Sequence, residues 1–261
     1  MRALSQQEID DVCKAYKNYG SLREVSRRFQ RSPNTVKKYA SLKMKVKTQN
    51  IVNRMCSNDE RLIGTYIGIW LGDGTQYFDR GYTVKICCNK DDKYLNKFIQ
   101  DIIYKLFGKS TALIKEPLTK QAYIKFRSKF IFAFIKDYVV FDEKKKTYTV
   151  KLKKRAGCYN IPFLEGCLLG LTLSDGYLKT TFSFNVVSSR LAKNMHDILK
   201  KFGYNPYHYI HKREKYGWKD LYMVKLNTKE SKRLKLFLNE IIKKLGYGYS
   251  FDDLKYGLDV I

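Results

Sequence analysis

Apolar and polar positions alternate along this chain in blocks, and the period of each block predicts an element. From Gln6 to Tyr19, Ile9, Val12, Cys13 and Tyr16 recur at helical spacing and stop at Gly20. Ser21 predicts the cap of a second helix, with Glu24 as its capping-box partner and Leu22, Val25 and Phe29 as its apolar positions. After a turn at Arg31-Ser32, Pro33 sits at the favoured first position of a short helix through Tyr39. From Ser41 to about Glu60 the periodicity is lost, and Lys43, Lys45, Lys47 and Arg54 mark a basic linker.

Beyond the linker, one order of blocks occurs twice. An apolar run, Leu62 to Gly74, is followed by a hairpin (Thr75–Phe78 and Tyr82–Cys88, across Asp79-Arg80-Gly81) and an amphipathic helix from Asp91 to Phe107. Strands near Thr111–Glu116 and Ala122–Arg127 and a helix from Ser128 to Val139 complete the series. The second series starts with the apolar run Leu164 to Gly176 and a strand at Thr181–Val187. A helix from Arg190 to Phe202, strands at Tyr207–Arg213 and Leu221–Asn227, and a helix from Glu230 to Leu245 follow. The first series reads α-β-β-α-β-β-α and the second repeats its order, so the repeat predicts an α+β fold of two α-β-β-α-β-β-α halves about a pseudo-two-fold axis.

The two apolar runs share more than hydropathy. Both read Leu-x-Gly-x-x-x-Gly-x-x-x-small-Asp-Gly, and Asp175 follows Asp73 by 102 positions. Small residues recur every fourth position: Gly64, Gly68 and Gly72 in one run, Gly166, Gly170 and Ser174 in the other. On a helix that spacing leaves a bare stripe, and two bare stripes allow backbones to touch. Each glycine costs a helix about 1 kcal/mol relative to alanine, so close approach is the reason for three. Gly74 and Gly176, just past the acids, also fit left-handed caps. A carboxylate at a buried helix C-terminus faces the negative end of the dipole, a conflict that a divalent cation resolves. Asp73 and Asp175, beside the carbonyls of Gly72 and Ser174, make a hard-oxygen set suited to Mg²⁺.

Composition narrows the chemistry. With 44% hydrophobic residues among 261, the chain buries a core. Lys and Arg number 51 against 25 acids, a formal charge of +26, which implies a polyanionic partner, nucleic acid foremost. No run of about 18 apolar residues, signal peptide or lipidation motif favours a membrane. The six cysteines have no C-x-x-C spacing and read as reduced thiols of a cytosolic protein. Three histidines argue against nucleases built on clustered imidazole.

The runs Ile67-Gly68-Ile69-Trp70-Leu71-Gly72-Asp73-Gly74 and Leu169-Gly170-Leu171-Thr172-Leu173-Ser174-Asp175-Gly176 resemble the two motifs of single-chain LAGLIDADG homing endonucleases. The resemblance spans about residues 60 to 261. The family's first motif acid is replaced by Leu71 and Leu173, a position that varies within it. It implies a saddle of two pseudo-symmetric halves, here 61–150 and 151–261, acting as a monomer on double-stranded DNA. Asp73 and Asp175 would hold Mg²⁺ or another divalent ion such as Mn²⁺, with Ca²⁺ binding without cleavage. Both strands would be hydrolysed at a long, nearly asymmetric site, leaving 3′ extensions. The family also places a lysine after the last helix of each half. Lys146, in Glu143-Lys144-Lys145-Lys146-Thr147, and Lys255, in Asp253-Leu254-Lys255-Tyr256, are the matching positions.

Other residues are expected to bind DNA without acting on it. Residues 1–42 resemble the helix-turn-helix modules of transposases and resolvases, with Asn34, Thr35, Lys37 and Lys38 facing the major groove and residues 43–60 as the linker. Lys85, Lys115, Lys125 and Arg127 are expected on the polar face of the first sheet, and Lys212, Arg213, Lys225 and Asn227 on that of the second. Two rivals remain: a DNA-binding regulator that has lost cleavage, and an RNA-binding maturase. The 15% aromatic content, including 21 tyrosines, suits the latter, although most aromatics are expected in core positions. An intron, an intein or a free-standing gene are all compatible hosts, and the protein belongs wherever the host DNA lies.

Overall fold

The structure, a computed structural model, describes residues 5–19, 22–39, 57–78 and 81–257. The chain forms two compact units, one within residues 1–55 and one within 56–261. In the first unit, α1 (Gln6–Tyr19), α2 (Leu22–Arg28) and α3 (33–39) close on Val12, Val25 and Val36, all fully buried, with Ala15, Tyr16 and Phe29 around them. Ser32 caps α3, its Oγ accepting the Thr35 N–H at 3.2 Å. Arg31 reaches Glu8 of α1 at 3.4 Å. The expected cap at Ser21 and the linker residues 43–56 lie outside the described residues. Residues 57–60, expected in the linker, instead open a helix.

That helix is α4 (Ser57–Asp73), and the first half continues through β1 (Gly74–Phe78), β2 (Tyr82–Asn89), α5 (Lys93–Phe107), β3 (Leu113–Lys115), β4 (Gln121–Arg127) and α6 (Lys129–Tyr138). The second half repeats it as α8 (Ile161–Ser174), β7 (Gly176–Tyr177), β8 (Ser183–Val186), α9 (Ser189–Lys201), β9 (Tyr207–His211), β10 (Leu221–Lys225) and α10 (Thr228–Lys244). The strand orders correspond, β1-β2-β4-β3 and β7-β8-β10-β9, with every ladder antiparallel. Three small elements were not evident in the pattern: a two-residue ladder of β5 (Val139–Val140) with β6 (Lys151–Leu152), the one-turn helix α7 (Lys146–Thr149), and α11 (Phe251–Tyr256). Side-chain caps fix many of the helix starts, Ser128 for α6, Asn160 for α8, Ser188 for α9 and Ser250 for α11.

The halves meet along α4 and α8. A Cβ on Gly68 would lie 2.5 Å from Cys167 O and 2.9 Å from Leu171 N; one on Gly170 would lie 2.7 Å from Ile69 N. Gly64 faces the backbone of Phe163 and Gly166 that of Arg61 in the same way. Thus the stripes abut main chain to main chain, while the buried Trp70, Tyr66 and Phe163 pack on Phe141, Phe107 and Tyr138. Gly74 and Gly176 are not left-handed caps. They open β1 and β7, where a Cβ would strike Trp70 and the Thr172 backbone. At the far end of the seam, Glu165 is buried and holds Arg61 of α4 (Nε to Oε2 2.7 Å) and Lys244 of α10 (3.1 Å). That end is tied by charge, the other is left with two acids.

Candidate active site

Asp73 ends α4 and Asp175 follows the last residue of α8, so the seam brings both to one end. Asp175 reaches α4 itself: its Oδ2 is 2.8 Å from where a Cβ on Gly72 would sit. Among the described residues neither carboxylate accepts a hydrogen bond or forms an ion pair within 4 Å. Burial, with Asp175 nearby, pushes Asp73 up to about 6, against the pull of Lys255 and Lys146. Burial raises Asp175 as well, opposed first by Lys146 and then by Lys255. Two half-buried acids with no cation in contact leave a demand for positive charge.

The two lysines stand on the helix ends rather than on the acids. Lys146 Nζ donates to the carbonyls of Trp70 (3.1 Å), Leu71 (2.8 Å) and Gly72 (3.0 Å), and Lys255 Nζ to those of Leu173 (2.6 Å) and Ser174 (2.9 Å). Each closes the C-terminus of its own half's motif helix, neutralising the negative dipole end beside the acids. Burial lowers Lys146 to about 8, opposed by Asp175 and Asp73; three carbonyls matched to three N–H groups favour its ammonium form. Lys255 is also lowered by burial. The carbonyls of Gly72 and Ser174, expected to face a metal alone, are therefore shared with lysines. The dipole conflict assigned to a metal from the sequence is met in part by these two side chains.

A cavity lies on each side of the seam. One, about 360 Å³, is lined by Asp73, Lys255, Ser174, Lys85, Cys87 and Asp92 among others; the second, about 260 Å³, by Asp175, Lys146, Gly72, Asn185 and Arg213. Each thus pairs the acid of one half with the lysine of the other half. The donor set fits a hard divalent ion, since each cavity offers a carboxylate without a cationic contact and a backbone carbonyl with a lone pair to spare. Among the described residues there is no group of three or more His, Cys, Asp or Glu placed to hold a metal ion, so an ion here would rest on one motif carboxylate per cavity together with carbonyls.

The sheets carry the remaining expected residues unequally. Lys85 pairs with Lys125 and Thr83 with Arg127 across β2 and β4, placing these basic residues on the face opposite Ile86, Ile124 and Phe126. Like charges directly opposite favour an anion between them; Lys85 also lies 4.1 Å from the Tyr123 ring centroid. Lys115 is a correction: it pairs with buried Ala122, so a one-residue difference in register puts it on the helix-side face. In the second half, Lys225 pairs with Ser183 and Tyr207. Lys212 lies beyond β9 and pairs with Asp220 at 2.8 Å, and Arg213 Nε donates to Lys219 O at 2.8 Å. Asn227 is a second correction. It caps α10, accepting the Glu230 N–H at 2.8 Å, and this occupies the side chain locally.

In the helical unit, Asn34, Lys37 and Lys38 are exposed, while the Thr35 hydroxyl is 2.9 Å from Ser32 Oγ. Many aromatics are core residues as expected, Phe163, Phe182, Phe184, Tyr204 and Phe251 in the second half among them, but Tyr177, Tyr207, Tyr209 and Trp218 are exposed. Two cavity residues were not expected. Asn185 alternates with buried Phe184 and Val186, a period-two signal that the pattern contains. Asp92 precedes α5 at its cap position but makes no capping bond; its side chain lines the Asp73 cavity.

No family model and no curated protein sequence matches this chain. Solved structures do match. The crystal structure of I-DmoI with DNA and Ca has a TM-score of 0.52 at 12% identity, covering 70% of this chain and 91% of that one. I-DmoI with DNA and Mn gives 0.52 at 13% identity, over 73% and 99%. The N-terminal LAGLIDADG domain of DUF199/WhiA gives 0.48 at 13%, over 79% and 91%. The chain has the LAGLIDADG fold of the homing endonuclease I-DmoI.

Proposed function

We propose that this protein is a single-chain LAGLIDADG endonuclease that hydrolyses both strands of duplex DNA with divalent metal ions. The observation that carries this reading is the crossed pairing at the seam: two half-buried carboxylates without a cation in contact, each sharing a cavity with the other half's lysine. Fold similarity to a DNA endonuclease solved with Ca and with Mn supports it.

Asp73 and Asp175 would hold the ions, with the carbonyls of Gly72 and Ser174 beside them. When bound, such ions supply a nucleophile from water and offset charge on the leaving oxygen. The residues of the chain set the stage for that chemistry. The ammonium forms of Lys146 and Lys255 on the helix ends would offset charge that develops on a phosphate at the cavity mouth. Lys85, Lys125, Arg127 and Lys225 hold the backbone on the polar sheet faces, and α3 adds a second contact through Asn34, Lys37 and Lys38. Binding should therefore weaken steeply with salt.

The test is incubation with Mg²⁺ and DNA carrying the reconstituted insertion site of the gene. Cleavage of both strands by the native protein, lost in the Asp73→Asn and Asp175→Asn double variant with binding retained, supports the reading; cutting by the double variant sinks it. The three-helix unit favours one alternative, a DNA-binding regulator on the same scaffold, which would bind tightly and cut nothing at any metal concentration.

A further inference from the structure

A third cavity, about 470 Å³, adjoins the Asp175 cavity. It shares Val187 with it, and its other walls include Tyr148, Trp218, Tyr222 and Asp220. Tyr148 comes from α7, two residues after Lys146, and Trp218 from the loop between β9 and β10.

Trp218 is 63% exposed and Tyr148 50%, a placement that costs apolar hydration unless something covers it. The loop holds Trp218 there firmly. Lys212 and Asp220 pair at 2.8 Å across its base, Gly217 turns it with φ +68°, and Trp218 N–H donates to Arg213 O at 3.3 Å. The Arg213 guanidinium lies 5.6 Å from the Trp218 ring centroid. Lys212, Arg213, Lys215 and Lys219 outnumber Glu214 and Asp220 in this loop, leaving it with a net positive charge. The corresponding turn of the first half, between β3 and β4, carries Leu118 and no aromatic residue.

Solvent-exposed aromatic rings, a loop with an excess of basic residues and an edge shared with a candidate cleavage cavity fit one kind of occupant. We propose that this pocket receives a single DNA base displaced from its stack, covering Trp218 and Tyr148 while its phosphate meets the basic loop. Stacking on aromatic side chains requires only the π-face common to all bases. The site deepens the DNA-binding part of the proposed function and is independent of cleavage.

The experiment reads Trp218 directly, because the only other tryptophan, Trp70, is fully buried. The full-length protein in EDTA is titrated at low salt with two short duplexes, identical except for one bulged adenine. The bulged duplex is expected to quench tryptophan emission at least twofold more at saturation and to bind about tenfold more tightly. Trp218→Ala and Tyr148→Ala, each with unchanged circular dichroism, should abolish the preference, and Trp218→Phe should retain most of it. Equal quenching by both duplexes, or a preference that survives Trp218→Ala, overturns the pocket. Failure to bind either duplex would remove the nuclease reading too, whereas binding without discrimination removes the pocket alone.

Discussion

The two halves of the larger unit match where they touch each other and differ where they face outward. Strand order, helix order and the small-residue stripe correspond closely, because α4 and α8 pack backbone to backbone and any added Cβ would collide. The outward faces have no such constraint. The first presents Lys85, Lys125 and Arg127; the second presents exposed Tyr177, Tyr207 and Tyr209 with Lys225. The cavities differ likewise: the Asp73 side adds a second carboxylate, Asp92, and the Asp175 side adds Arg213. Packing preserves likeness, and solvent permits divergence.

The comparison is broken most sharply at the acids. Asp73→Asn and Asp175→Asn should each lower cutting of one strand by at least about a hundredfold and leave nicked DNA, with binding changed less than about threefold. Strand-specific end labelling reads the result; loss of both strands together in each variant would mean that the cavities do not act separately. Next comes the shared seam. Gly68→Val or Gly170→Val should destabilise the whole unit by roughly 3 kcal/mol, visible in urea melts, since the clash is with backbone. A loss below about 1 kcal/mol would show that the helices part easily.

Crossing of the lysines gives a third contrast. Lys255→Ala should slow the strand affected by Asp73→Asn, and Lys146→Ala the strand affected by Asp175→Asn, each by about tenfold to a hundredfold. The reverse assignment would contradict the cavity linings. Titration sharpens it further. Asp73, raised to about 6, must be ionised to hold a cation, so cutting in its cavity should fall as pH drops through about 6. In the metal-free protein the sign for stability is opposite. A raised carboxylate contributes stability at low pH that is lost as pH rises from the unfolded value of 3.8 through about 6, so Asp73→Asn should raise the melting temperature at pH 8. The smallest effect belongs to the sheet: Lys85→Ala or Lys125→Ala should weaken binding a few-fold and reduce the log–log salt slope by about one.

Much of this architecture was legible in the sequence. The doubled Gly-x-x-x-Gly-x-x-x-small-Asp pattern encodes the seam, since small-residue spacing is a local property that packing then uses. Period-two alternation placed Lys85, Lys125 and Arg127 correctly for the same reason. Lys115 and Asn227 were misplaced because strand register and helix caps depend on partners distant in sequence or on where an element ends. The resemblance implies a lysine after the last helix of each half, yet the seat of Lys146 and Lys255 on carbonyls 74 to 82 residues away, and the crossing that follows, exist only in three dimensions. The buried Glu165 with Arg61 and Lys244 was missed because a single acid in an apolar run gives no hint of its partners.

Because main-chain atoms rather than side chains set how near the α4 and α8 tips lie, the interval between the two cavities is a dimension that substitution can scarcely edit. The outward faces are free to drift toward new sequences while that gauge stays fixed. A scaffold of this kind changes its address without changing its stride.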